Sequence, residues 1–161
     1  MRSVAQSWFE TFPAVADSVP RARHALAGFA TRAGASGEQI DAVRLTSSEA
    51  LTNAVLHAYR GEPGAIQVTA AVVAQELWVL IADEGCGMQP RGERPGLGLG
   101  LGLGLIAKLT DEFEIVARSG GGTEVRMRFD LVDEADQSES RDLGSSSSAS
   151  SPASPRFSIA T

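Results

Sequence analysis

Three groups of residues have the types and spacings to do chemistry. The first is Glu49, Asn53 and His57, at i, i+4 and i+8, which on a helix stacks a carboxylate, an amide and an imidazole on one stripe. Leu45, Thr52 and Leu56 flank it, so the stripe reads either as a pocket wall or, from this helix alone, as a solvated polar face. His57 reads as a structural histidine near a helix C-terminus, and Glu, Asn and one His make a poor zinc set. The second group is Asp83-Glu-Gly-Cys-Gly87. Asp83 offers a directional acceptor at the end of an apolar run, and Gly85 and Gly87 let the backbone approach a ligand closely; a plain turn explains the same residues as simply. The third is the run from Gly96 to Gly104, glycine at every second position, leading into Leu105-Ile-Ala-Lys-Leu109. Glycines feeding a helix N-terminus present backbone N–H groups to an anion, and a triphosphate is the natural candidate.

The elements that must position these groups are legible around them. Ser7 to Val15, with Trp8, Phe9 and Phe12 and a stop at Pro13, suits an edge strand. Asp17 or Ser18 can cap a helix carrying Val19, Ala22, Leu26 and Phe29, ending at Gly34. Ser36-Gly-Glu-Gln39 has capping-box spacing and predicts a longer helix to about Tyr59, with Ile40, Val43, Ala50, Leu51, Ala54 and Val55 as its apolar face. Two antiparallel strands, Ala65 to Val73 and Glu76 to Ala82, should turn at Ala74-Gln75. A short helix is expected over Gly102 to Leu109, and a hairpin of Phe113 to Arg118 with Glu124 to Leu131 around Ser119 to Thr123. This order predicts an α+β two-layer sandwich, helices on one face of a mixed, mostly antiparallel sheet.

Composition narrows the functions. The 161 residues carry 14 basic and 20 acidic side chains, a net charge of −6, which argues against binding nucleic acid through bulk electrostatics. One cysteine, Cys86, excludes an internal disulfide and points to a cytoplasmic protein. No signal peptide or 20-residue apolar span is visible. The one lysine, Lys108, is not in a Walker loop. Only Gly102-x-Gly104-x-x-Ala107 approaches a dinucleotide fingerprint, and no strand precedes it. Ten serines and few large apolar residues in 133 to 161 predict a disordered, Ser-rich acidic tail behind a folded domain of residues 1 to 132.

Taken in order, Glu49-Ala-Leu-Thr-Asn53-Ala-Val-Leu-His57, Asp83-Glu-Gly-Cys-Gly87 and Gly100-Leu-Gly102 resemble the N, G1 and G2 boxes of the GHKL (Bergerat-type, histidine-kinase-like) ATPases. Gly121-Gly-Thr123-Glu-Val fits the strand that closes that pocket, and the whole looks most like the anti-sigma factor serine kinases, over residues 7 to 131. The resemblance implies an ATP-dependent serine kinase that phosphorylates an anti-anti-sigma protein and binds a sigma factor, with a homodimer allowed. It assigns Asp83, with Thr123, to the adenine; Asn53 to Mg2+; Glu49 to the attacking serine hydroxyl; and Gly85, Gly87, Gly100 and Gly102 to the ATP pocket. Met88 to Leu99 would form a lid. Leu101 stands where relatives often carry a basic residue, leaving Arg91, Arg94 or Lys108 as phosphate clamp, and Gly98/Gly100 is an alternative register. The competing class is an ATP-binding module that sequesters a partner without transfer. The ATP-binding half of a sensor histidine kinase is disfavoured, because no phosphoacceptor helix pair is present.

Overall fold

The computed structural model describes residues 6–86 and 100–131. Gly87, the expected lid with Arg91 and Arg94, and the tail from 133 onward lie outside the described residues. Five strands and three helices follow in the order β1 (Gln6–Pro13), α1 (Ser18–Arg32), α2 (Gly37–Asn53), β2 (Ala65–Val73), β3 (Glu76–Asp83), α3 (Gly100–Leu109), β4 (Glu112–Ala117) and β5 (Thr123–Asp130). The sheet order is β1-β2-β3-β5-β4. Every ladder among the described residues is antiparallel, the pure form of the mostly antiparallel sheet expected.

Alternation decides which face is covered. Ile66, Val68 and Ala70 of β2, Leu77, Val79 and Ile81 of β3, and Val125, Met127 and Phe129 of β5 are buried. The register sets them beside one another, Val68 opposite Ile81 and Ile81 opposite Val125. They meet Ala22, Leu26 and Phe29 of α1, Val43, Ala50 and Leu51 of α2, and Ile106 of α3 in one core. The opposite face carries Gln67 and Thr69 and a set of ion pairs, with Arg128 reaching Glu76 at 2.7 Å and Glu112 at 3.2 Å. This is the two-layer α+β architecture, with all three helices on one side. No helix among the described residues is long and apolar enough to cross a membrane.

The capping box of α2 forms as its sequence predicts: the Gln39 N–H donates to Ser36 Oγ at 3.2 Å and the Ser36 N–H to Gln39 Oε1 at 3.0 Å. The cap expected for α1 does not form. Asp17 precedes the helix but its own backbone is already helical and its side chain caps nothing, because the preceding turn supplies the acceptors: the N–H groups of Ser18 and Val19 donate to the carbonyls of Val15 and Ala16. Gly34 follows α1 with φ of 84°, the left-handed conformation that ends a helix readily only at glycine.

Two other boundaries differ from expectation. The long helix does not run as regular α-helix to Tyr59; after Asn53 it widens into a π-helical turn, Ala54–Ala58. There the Ala58 carbonyl accepts the Cys86 N–H at 2.9 Å, so the end of the helix is given over to a contact with the loop after β3. The third helix begins at Gly100 and not Gly102. Within it Leu103 and Ile106, three residues apart, pack into the core.

Candidate functional site

The site grows from the C-terminal end of β3. Asp83 is its last residue, and its inward side chain shares the core-facing row with Ile81 and Ile66. Asp83 is only 9% exposed, and a carboxylate so placed needs donors. Two backbone groups supply them, the Gly85 N–H at 3.0 Å and the Thr123 N–H at 3.3 Å, both to Oδ1. Among the described residues Oδ2 is therefore the oxygen left for a ligand. Loss of water raises the Asp83 carboxyl above the usual carboxylate range; the Gly85 and Thr123 bonds, and then the charge of Arg118, oppose that rise.

The neighbouring backbone is packed to contact. A Cβ at Gly85 would collide with the Ala58 carbonyl, and one at Gly122, where φ is 96°, with the Asp83 carbonyl oxygen. Glycine is the residue that permits both approaches. Tyr59 joins the same corner. Its hydroxyl accepts the Glu84 N–H at 2.9 Å and donates to the Ala65 carbonyl, and its ring covers Gly64, where a Cβ would strike it. From β4's end Arg118 donates through Nη1 to the Asp83 carbonyl at 3.1 Å and through Nη2 to Gln67 Oε1 at 3.4 Å.

The second half of the site is the α2 stripe. Glu49 and Asn53 are half-buried and His57 is exposed. Among the described residues neither the Glu49 carboxylate nor the Asn53 amide has a side-chain hydrogen bond or ion pair. Asn53 leads directly into the π turn, whose Ala58 touches Gly85, so the stripe ends at the corner where Asp83 sits. An unpartnered amide oxygen beside a carboxylate suits a hard cation and its phosphate ligands.

The structure thus brings Asp83, Gly85 and Thr123 into direct contact, and the helix that carries Glu49 and Asn53 continues into the turn whose Ala58 meets Gly85 and Cys86. Gly100 and Gly102 fall in the first turn of α3, the end that presents free N–H groups. Lys108 stands in the last turn of that helix, about 12 Å further along at 1.5 Å per residue, away from that end. Two participants escaped the sequence reading. Gly122 was quoted there only as part of the Gly121-Gly-Thr123 motif; Tyr59 and Arg118 had no signal, because their roles depend on which strand ends meet.

The family described as "Histidine kinase-like ATPase domain" matches residues 12–129 of the chain. The chain is 31% identical over 138 residues to an anti-sigma F factor of Clostridium acetobutylicum, covering 76% of this chain and 94% of that protein. It is 36% identical over 124 residues to the serine-protein kinase RsbW of Bacillus pumilus, covering 67% of this chain and 76% of that one. Among solved structures it is similar in fold, with a TM-score of 0.62 and 24% identity, to the RsbU and RsbW domains of Rv1364c from Mycobacterium tuberculosis. That match takes in 78% of this chain and 32% of the solved one, so the chain spans about a third of that larger protein.

Proposed function

The chain belongs to the histidine kinase-like ATPase family, on its anti-sigma factor and serine-protein kinase branch, and from that premise we propose that it is a cytoplasmic ATP-dependent protein-serine kinase that also binds a sigma factor. Its substrate is an anti-anti-sigma protein, and phosphorylation of that protein governs release of the sigma factor. The observation that carries the reading is the division of one corner into two halves: a buried carboxylate held by backbone donors, and a stripe whose carboxylate and amide are left for a ligand.

In this reading Asp83 Oδ2 accepts the adenine amino group, and Thr123, whose N–H already fixes Oδ1, supports it. The N–H groups at the start of α3, from Gly100 and Gly102, face the phosphates, and Gly85, whose N–H donates to Asp83 Oδ1, holds that carboxylate in place. Mg2+ held by the Asn53 amide oxygen would neutralise phosphate charge. Glu49, one helical turn before Asn53, orients the serine hydroxyl of the partner and takes its proton. The serine oxygen forms its bond to the γ-phosphorus, the bond from that phosphorus to the bridging oxygen breaks, and ADP leaves with the electron pair.

The test is transfer of labelled γ-phosphate from Mg-ATP to the anti-anti-sigma protein encoded nearest this gene. Phosphoserine on the partner, lost in Glu49→Ala while ATP still binds, is the expected result. No transfer to any such partner, with ATP bound and a sigma factor held, would instead select the sequestering module. One feature favours that second reading: Leu101 between Gly100 and Gly102 gives the phosphates no cation at that point.

A further inference from the structure

Both polar atoms of a single peptide group, the one joining Asp83 to Glu84, are taken by side chains. Its carbonyl accepts from Arg118 Nη1 at 3.1 Å. Its N–H donates to the Tyr59 hydroxyl at 2.9 Å. The two side chains arrive from different layers. Tyr59 follows the π turn in the helical layer, and its hydroxyl is itself fixed by donating to the Ala65 carbonyl at the start of β2. Arg118 follows β4 and is anchored by Gln67, which lies on the face of β2 opposite the buried Ile66 and Val68, with Glu84 Oε1 4.0 Å away. Gly122 closes against the same carbonyl.

A peptide plane held at both ends resists rotation, which would change ψ of Asp83 and φ of Glu84 together. Those torsions set where the Gly85 N–H lies relative to the Asp83 carboxylate, and that N–H holds Oδ1 in place. We propose that Tyr59 and Arg118 form a two-sided clamp on the Asp83–Glu84 peptide and are positioning residues for recognition of the adenine amino group. The proposal rests on the assignment of Asp83 to the base. Neither residue touches the nucleotide in it; each acts through the backbone that carries Asp83. Burial explains why a clamp is needed, since a carboxylate that has lost its water discriminates only while its geometry is kept.

The test compares ATP with inosine triphosphate, which lacks the 6-amino group, by equilibrium binding to the full chain in the presence of Mg2+. Tyr59→Phe and Arg118→Gln should each weaken ATP about tenfold, the effect of one displaced polar contact, and leave inosine triphosphate within about twofold. Arg118→Lys, which keeps a cation but not the fork, should recover part of the ATP preference. The double variant should lose little more than the worse single one, because one plane is released either way. In the unliganded protein, Tyr59→Phe should speed hydrogen exchange at the Glu84 amide.

Equal loss of both nucleotides, unchanged ATP preference in both single variants, or losses that multiply in the double variant would each overturn the clamp. Asp83→Asn separates this from failure of the underlying reading. If Asp83→Asn abolishes the ATP preference and the clamp variants do not, the clamp alone is wrong. If the unaltered protein does not distinguish the two nucleotides, the adenine assignment falls and the clamp with it.

Discussion

The two halves of the site are built on opposite plans. At the β3 end all but one of the polar groups around Asp83 have protein partners, Oδ2 being the exception: Asp83 Oδ1 holds two N–H groups, the next peptide is taken at both ends, and Gly85 and Gly122 leave no room beside the backbone. On α2, Glu49 and Asn53 are fixed only by the helix that carries them. In the proposed function the first arrangement suits recognition of a shape, because moving any member disturbs several others. The second suits groups that act on something brought to them, where a free lone pair is useful. The difference teaches where stability and activity should separate: the stripe should be open to mutation without cost to folding, and the packed backbone of the strand end, at Gly85 and Gly122, should not.

The largest expected effect tests the stripe. Glu49→Gln keeps size and polarity and removes the base, so transfer to the partner protein should fall about 100- to 10,000-fold. Unfolding in urea should shift by no more than about 0.5 kcal/mol, as for an isosteric change at a half-buried residue without a hydrogen bond or ion pair among the described residues. Asn53→Ala comes next. It should weaken Mg-ATP by at least about tenfold and leave metal-free ATP binding unchanged, measured by titration with and without Mg2+. A large loss of stability in either variant would show that the stripe has structural bonds, and the contrast between the halves would be lost.

Gly122→Ala tests the other half. A methyl group there meets the Asp83 carbonyl oxygen, and φ of 96° strains any L side chain. Overpacking of this kind costs about 1–3 kcal/mol, so urea unfolding should occur at lower concentration and ATP binding should weaken with it. Gly34→Ala is the informative control, because Gly34 also has positive φ, 84°, but open space around its would-be Cβ. It should show only the backbone part of the penalty, and the difference between the two variants measures the collision.

How much of this was legible in the sequence follows from the range of the interactions. The capping box at Ser36 and Gln39, the alternation of β2, and the i, i+4 spacing of Glu49 and Asn53 are local, and they appear where the sequence placed them. The cap at Asp17 failed because a turn supplied the same acceptors, and a turn's backbone donors and acceptors leave little mark on residue types. The π turn and the clamp were hidden for a different reason. Ala58 meets Gly85, and Arg118 meets Asp83, only after β3, β5 and α2 have packed; nothing in Ala-Val-Leu-His-Ala or in Arg118-Ser-Gly states which strand end lies opposite. Asp83 was singled out because an acid at the end of an apolar strand falls in order between two other clusters; alone it read equally as a turn. Its support was not singled out, because it is made mostly of backbone.

The last prediction concerns the sign of a stability change at that acid. Burial raises the Asp83 carboxyl above its unfolded value, with the Gly85 and Thr123 donors and Arg118 only partly offsetting it. The unfolded chain therefore releases the proton more readily, and at neutral pH the ionised side chain subtracts from stability. That cost fades as pH falls through the raised folded value and is gone below the ordinary carboxylate value, where both states are protonated. Asparagine can accept the same two N–H bonds through its amide oxygen without a charge. Asp83→Asn should thus unfold at a higher urea concentration than the unaltered protein at pH 7, converge with it as pH is lowered towards 3, and lose its preference for ATP. This is the smallest shift of the set, and its direction is the sharpest test of the contrast, because a half of the site built for stability alone would lose stability from the same change. A gain in stability with a loss of recognition would mean that the packed strand end keeps a charge the fold would be better without, for the sake of the ligand.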